Sequence, residues 1–181
     1  MTMEKKYKLT DESIKFNKRT LYRIEALKDF RGVEKGDKGG FIEDEHNLSH
    51  DGNSWVCDNG RVCGNAMVCG NGMVCDNGMV YGNGRVCGNG RVCGNGMVCG
   101  NAMVCGDAKI ENNSDYIVFK NWWSSGRYFT WTRSNDMWKV GCFFGTGEEL
   151  IKKAYQDSEK SGREYERIVK YVEEIKKDNG I

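Results

Sequence analysis

The chain has 181 residues, with 27 Lys or Arg against 26 Asp or Glu, for a formal net charge of +1. The balance is also regional, with eleven cations against eleven acids over residues 1–54 and three against three over 55–108. This argues against non-specific DNA binding, which needs many uncompensated cations, and against an acidic DNA mimic. No apolar stretch approaches the ~20 residues of a membrane helix and no signal-peptide pattern opens the sequence, so a soluble protein without membrane contact is expected.

Residues 1–54 read as an N-terminal β cap. The run 21–27 (LYRIEAL) has the make-up of a strand, and 32–40 reads as turns. Ile42 and Leu48 stand six apart and form first, imperfect hexads. The eight-residue step from Leu48 to Val56 then implies a two-residue insertion at a corner, carrying His50 and Asp51. Such a cap removes an exposed sheet edge.

Residues 55–112 set the architecture. Nine hexapeptides run in register from Trp55 to Ala108: WVCDNG, RVCGNA, MVCGNG, MVCDNG, MVYGNG, RVCGNG, RVCGNG, MVCGNA and MVCGDA, with a fading tenth from Lys109. One aliphatic residue per six marks a parallel β-helix of about three coils, three hexads to a triangular coil. Each valine points inward over the valine 18 residues away, and the Gly or Ala two positions earlier points inward by alternation. Gly-Asn and Asp-Asn pairs form the corners, where φ is positive.

The residues flanking each valine turn outward. Eight of the nine cysteines follow a valine, so Cys57, Cys75 and Cys93 form one ladder. In-register strands are expected to keep these thiols apart, which suits a reducing cytoplasm. No metal or cofactor is expected, because the spacing is that of the fold and not of a zinc site. Before each valine stands Met or Arg. One face shows Met73 and Arg91, a second Met79, Tyr81 and Met97, and a third Arg85. Sulfur-rich outer faces over a thin, glycine-rich interior point to a partner face or to a homo-oligomer, dimer or trimer.

Residues 113–181 change composition and read as a C-terminal α+β module. Strands are predicted over 116–120, 127–133 and 137–143 as a three-stranded meander. Two helices follow, with capping boxes at Thr146/Glu149 and Ser161/Glu164. On the second helix Tyr165, Ile168, Val169, Val172 and Ile175 share a face that packs on the meander. Aromatic residues interleave with cations here, giving a candidate partner surface of Trp122, Trp123, Arg127 and Tyr128 and a weak nucleic-acid contact through the same module. Catalysis finds little support. The only histidines, His46 and His50, precede the regular repeats, no loop interrupts 55–108, and Glu43, Asp44 and Glu45 read as a solvated run.

Residues 22–27 (YRIEAL), 39–43 (GGFIE) and 47–49 (NLS), together with the VxGNA-type repeats, resemble left-handed β-helix proteins of bacteriophages and prophages of gut Firmicutes. The run 141–150 resembles a module appended to such phage proteins. The resemblance implies the left hand and an accessory or counter-defence role without catalysis. Its leading form is a type II-A anti-CRISPR protein that binds Cas9, or Cas9 with its guide RNA, and blocks DNA recognition or cleavage. A trimeric hexapeptide-repeat acyltransferase and a phage structural or fibre component stand as alternatives.

Overall fold

The computed structural model describes residues 4–181. Three strands open it: β1 (Tyr7–Phe16), β2 (Arg19–Ala26) and β3 (Lys38–Ile42). Ten two-residue strands follow: β4 (Trp55–Val56), β5 (Arg61–Val62), β6 (Met67–Val68), β7 (Met73–Val74), β8 (Met79–Val80), β9 (Arg85–Val86), β10 (Arg91–Val92), β11 (Met97–Val98), β12 (Met103–Val104) and β13 (Lys109–Ile110). They stack in parallel as a β-solenoid, valine over valine, and the nine hexad valines and Ile110 are all fully buried.

The faces follow the 18-residue arithmetic, one carrying β4, β7, β10 and β13, one β6, β9 and β12, and one β5, β8 and β11. The stack reaches four coils, one more than the regular hexads alone supply. Phe41 and Ile42 pair in parallel with Arg61 and Val62, Leu48 bridges Val68, and Lys109–Ile110 closes the far end.

The backbone hydrogen bonds have one direction, and that direction dictates the caps. The Trp55 N–H donates to Gly72 O (3.0 Å) and the Cys57 N–H to Val74 O (2.9 Å), each bond reaching the next coil. The first coil therefore bares carbonyls and the last coil bares amides, groups that are costly to bury unpaired. At the first coil the chain supplies donors. The Tyr7 hydroxyl donates to Leu48 O (2.7 Å) and Glu45 O (3.1 Å), and the Lys6 ammonium to Ser54 O (2.8 Å) and Gly52 O (3.3 Å). At the last coil it supplies acceptors. Asn113 Oδ1, Tyr116 Oη, Thr130 Oγ1 and Ser134 Oγ accept from the N–H groups of Met97, Cys99, Met103 and Lys109.

Lys6 is almost fully buried. Desolvation, and secondarily the charge of Lys28, lower its pKa from 10.5 to about 8, with Asp51 opposing. Between those two values the unfolded chain holds the extra proton, so stability is expected to rise as pH climbs from about 8 towards 10. Burial raises the Tyr7 phenol above its ordinary value of 10.0, so stability falls again above that pH as the unfolded phenol ionises first. Urea midpoints across pH 7–11 should show the rise in the wild type and lose it in Lys6→Met.

Strands β1 and β2 form a hairpin whose turn residues Asn17 and Lys18 both have positive φ (45° and 63°), the twist-matched form of a two-residue turn. The hairpin continues the β3–β5–β8–β11 face as its outermost strands. It also covers part of that face: Leu21, Phe41 and Cys63 form a cluster with Ile14, Phe16 and Tyr81, and the Phe16 ring lies 5.4 Å from the Arg61 guanidinium. Part of the outer surface is thus buried by the chain itself.

Two expectations about the cysteines and the C-terminal region are corrected. Cys57 is joined to Cys75 and Cys87 to Cys105. The ladder does not keep them apart, because stacking sets their Cα atoms 4.7 and 4.9 Å apart, within the roughly 4.4–6.8 Å that disulfides span. The C-terminal sheet has four strands, β14 (Tyr116–Lys120), β15 (Tyr128–Thr132), β16 (Met137–Val140) and β17 (Phe143–Gly145), in meander order. Gly141, at φ 54°, turns the chain where an unbroken strand over 137–143 is predicted.

Helix α1 (Gly147–Asp157) starts at the Thr146/Glu149 capping box. Helix α2 (Glu159–Asp178) is capped by Ser158, not Ser161. The earlier start places Gly162 inside the helix, against the Tyr155 ring, where any β-carbon would collide. Both faces of β15 are buried. Phe129, Trp131 and Trp138 pack under Leu150, Tyr165, Val169 and Val172, while Thr130 points the other way onto the solenoid end.

Candidate partner-binding surface

At the end of β14 the chain makes a seven-residue excursion before β15. Asn121 pins it: its N–H donates to Arg127 O (2.7 Å), its Oδ1 accepts the Ser124 N–H (2.9 Å), and it is itself buried. Gly126, at φ 65°, completes the turn.

The two adjacent tryptophans part company here. Trp122 projects outward with 73% of its surface exposed, the largest exposure of any large apolar side chain among the described residues. Trp123 folds back, its ring edge-on to Tyr165 at 5.3 Å and its Nε1–H donating to Ser161 Oγ (3.3 Å). The two indoles meet nearly perpendicular, with centroids 6.2 Å apart. Trp123 thus belongs to the C-terminal core, and Trp122 does not.

Tyr128 opens β15 directly opposite Lys120, whose ammonium lies 5.8 Å from the phenol ring, within cation–π range. Arg127 is exposed and lies beside Gly141. Together with Tyr128 it borders a depression of ≈ 410 Å³ whose other wall is solenoid: Asn83, Arg85, Asn101 and Met103. The structure therefore brings Arg85 to Arg127 and Tyr128, which sequence alone places in separate parts of the molecule.

That depression runs along a corner where Asn65 donates to Asn83 and Asn83 to Asn101, both at 3.2 Å. A second depression shares Asn65 and Asn83 and extends to Lys18, Arg19, Glu43 and His46. The result is a groove with an amide floor and cations towards both ends. Arg19 is ion-paired to Glu43 (2.7 Å), whose carboxylate also accepts the Gly64 N–H (2.7 Å). That backbone hydrogen bond, followed by the contact with Arg19, lowers the Glu43 pKa. Arg85 and Arg127 make no ion pair among the described residues.

The remaining predicted face residues lie elsewhere. Met73 stands between Trp55 and Arg91 on one face, with Arg91 exposed. Met79, Tyr81 and Met97 lie on another, half-buried, and Tyr81 touches the hairpin cluster. They do not join the Trp122 surface. The histidines are held by the fold. His50 stacks on Tyr7 at 4.3 Å and accepts the Lys6 N–H at Nδ1 (3.2 Å), while His46 Nε2 meets Gly64 O at 2.7 Å.

No helix among the described residues is long and apolar enough to cross a membrane. No protein-family model matches the chain and no curated protein matches it.

Proposed function

We propose that this chain is a non-catalytic interaction protein that acts by occupying a partner's surface, with Trp122 as the anchor. The observation that carries this reading is the exposed Trp122 on a turn fixed by buried Asn121, beside the Lys120–Tyr128 pair and Arg127. A large indole held out in water on a rigid turn, with aromatic and Arg neighbours, has the make-up of an interface hot spot. The amide-floored groove supports an accessory contact with a phosphate backbone through Arg85 and Arg127, of the kind that weakens as salt rises.

Within this reading the chain is a phage accessory protein of the left-handed β-helix type, acting in the cytoplasm of a bacterial host and associating through its Met/Arg faces. The partner is a type II-A Cas9, alone or with its guide RNA. The resemblance of the opening and C-terminal residues to phage proteins supports the origin, and the lack of a long apolar helix is compatible with the location.

The test is plasmid cleavage by guide-loaded Cas9 preincubated with the protein. Dose-dependent protection by wild type, lost in Trp122→Ala, is the expected result. Protection retained by Trp122→Ala would move the contact to the solenoid. No protection at large molar excess would overturn the Cas9 proposal for the enzyme tested.

A further inference from the structure

Only two hexads, WVCDNG and MVCDNG, carry Asp after the cysteine, and they lie 18 residues apart. Trp55 pairs with Met73 and Val56 with Val74, so the two Cys-Asp pairs stack at one corner. Every other hexad has glycine at that position, at φ between 58° and 69°. Asp58 and Asp76 hold the same left-handed backbone, at 53° and 54°, which glycine adopts more cheaply.

Both carboxylates are exposed and each accepts the N–H one coil on. Asp76 Oδ2 accepts that of Gly94 at 3.0 Å and Asp58 Oδ2 that of Asp76 at 3.5 Å, so Asp58 is the more loosely held. Cys57 Sγ, Cys75 Sγ and an Asp58 oxygen all lie within 4.8 Å of one another, the only such group of three or more His, Cys, Asp or Glu among the described residues.

We propose that the reduced chain binds one thiophilic divalent cation of the zinc class through Cys57, Cys75 and Asp58. Two thiolates and a carboxylate are a donor set such ions accept, with the fourth tetrahedral position left for water. The ion and the Cys57–Cys75 disulfide exclude each other. A dithiol or phosphine reductant delivers two electrons, the disulfide takes up two protons to become two thiols, and cation binding then releases those two protons. The corner therefore holds either a bond between coils or a cation, according to redox state. The second joined pair, Cys87 and Cys105, is followed by Gly88 and Gly106. It has the thiols without the carboxylate and serves as an internal control. This inference stands independently of the partner reading.

The test is anaerobic titration of the phosphine-reduced full chain with Cd²⁺ alone, followed by thiolate-to-cadmium charge-transfer absorption. The wild type is expected to saturate its tightest site at one equivalent. Cys57→Ser should abolish that site, and the Cys87→Ser/Cys105→Ser variant should keep it. Asp58→Asn retains both thiols and a residue at ease in the left-handed region, so it guards against a folding failure. It should weaken binding by about tenfold or more, since even groups behind the ligands are worth about 10–100-fold. Equal affinity of Asp58→Asn and wild type, or an unchanged site in Cys57→Ser, would reduce the effect to a general property of stacked thiols and overturn the proposal. So would the absence of a one-equivalent site in the wild type.

Discussion

Gly78→Ala is expected to destabilise the protein by about 1–3 kcal/mol, the range for overpacking a tight interior, while Gly84→Ala, six residues on, should stay within about 1 kcal/mol of wild type. Both glycines point inward before a valine and both have ordinary φ, so backbone strain does not separate them. Space does. A β-carbon on Gly78 would lie 2.7 Å from Val92 O and 2.8 Å from Cys75 O. Both are backbone acceptors already in use, Val92 O by the Cys75 N–H of the previous coil and Cys75 O by the Gly78 N–H of the corner itself. On Gly84 the nearest atom, Val98 O, would be 3.0 Å away.

The difference belongs to whole corners. The corner before β5, β8 and β11 is all glycine, with nearest approaches of 2.6, 2.7 and 2.5 Å at Gly60, Gly78 and Gly96. The corner before β6, β9 and β12 already holds Ala66 and Ala102, both fully buried, on either side of Gly84. Urea melts of the two variants decide the matter. Equal losses would mean that the coils give way alike at every corner.

That contrast shows how far the sequence could be read. The hexad period carried the solenoid, and the 18-residue stacking placed each outward Met, Arg and Cys on its face, because a fixed period turns chain position directly into space. The same stacking could have exposed the corner difference, since Ser54, Ala66, Ala102 and Ala108 avoid the tight corner altogether. The caps were harder to read. Lys6 and Tyr7 serve the first coil through a few long-range hydrogen bonds, and a polar edge strand such as β1 has no periodic signal. Ser158 and Ser161 offer the same capping chemistry, and only the packing of Gly162 against Tyr155 chooses between them. The joined cysteines are not legible in the period, because outward Cβ vectors argue against a bond that the stacked spacing permits.

The candidate surface was legible as a pair of tryptophans beside an Arg and a Tyr, but the division of labour between the two rings was not. Alternation says only that adjacent side chains diverge. Which one faces the core depends on Ser161 and Tyr165, some forty residues downstream.

The division gives a prediction with two separable readouts. Trp123→Ala removes an indole packed on Tyr165 and hydrogen-bonded to Ser161, and is expected to cost about 1.5–3 kcal/mol of stability. Trp122→Ala removes a side chain that is 73% exposed, so its stability should stay within about 0.5 kcal/mol of wild type. Its effect belongs to binding. At the hot-spot threshold of about 2 kcal/mol, affinity for the proposed partner, the Cas9–guide complex, is expected to fall roughly 30-fold. Thermal melts and immobilised-partner binding on the same two preparations separate the roles. A stable Trp122→Ala variant that binds the complex as tightly as wild type would remove this residue as the anchor. A Trp123→Ala variant as stable as wild type would mean that the ring's contacts with helix α2 contribute nothing net. A double-alanine variant would confound the two effects, because its loss of binding could come from the core alone.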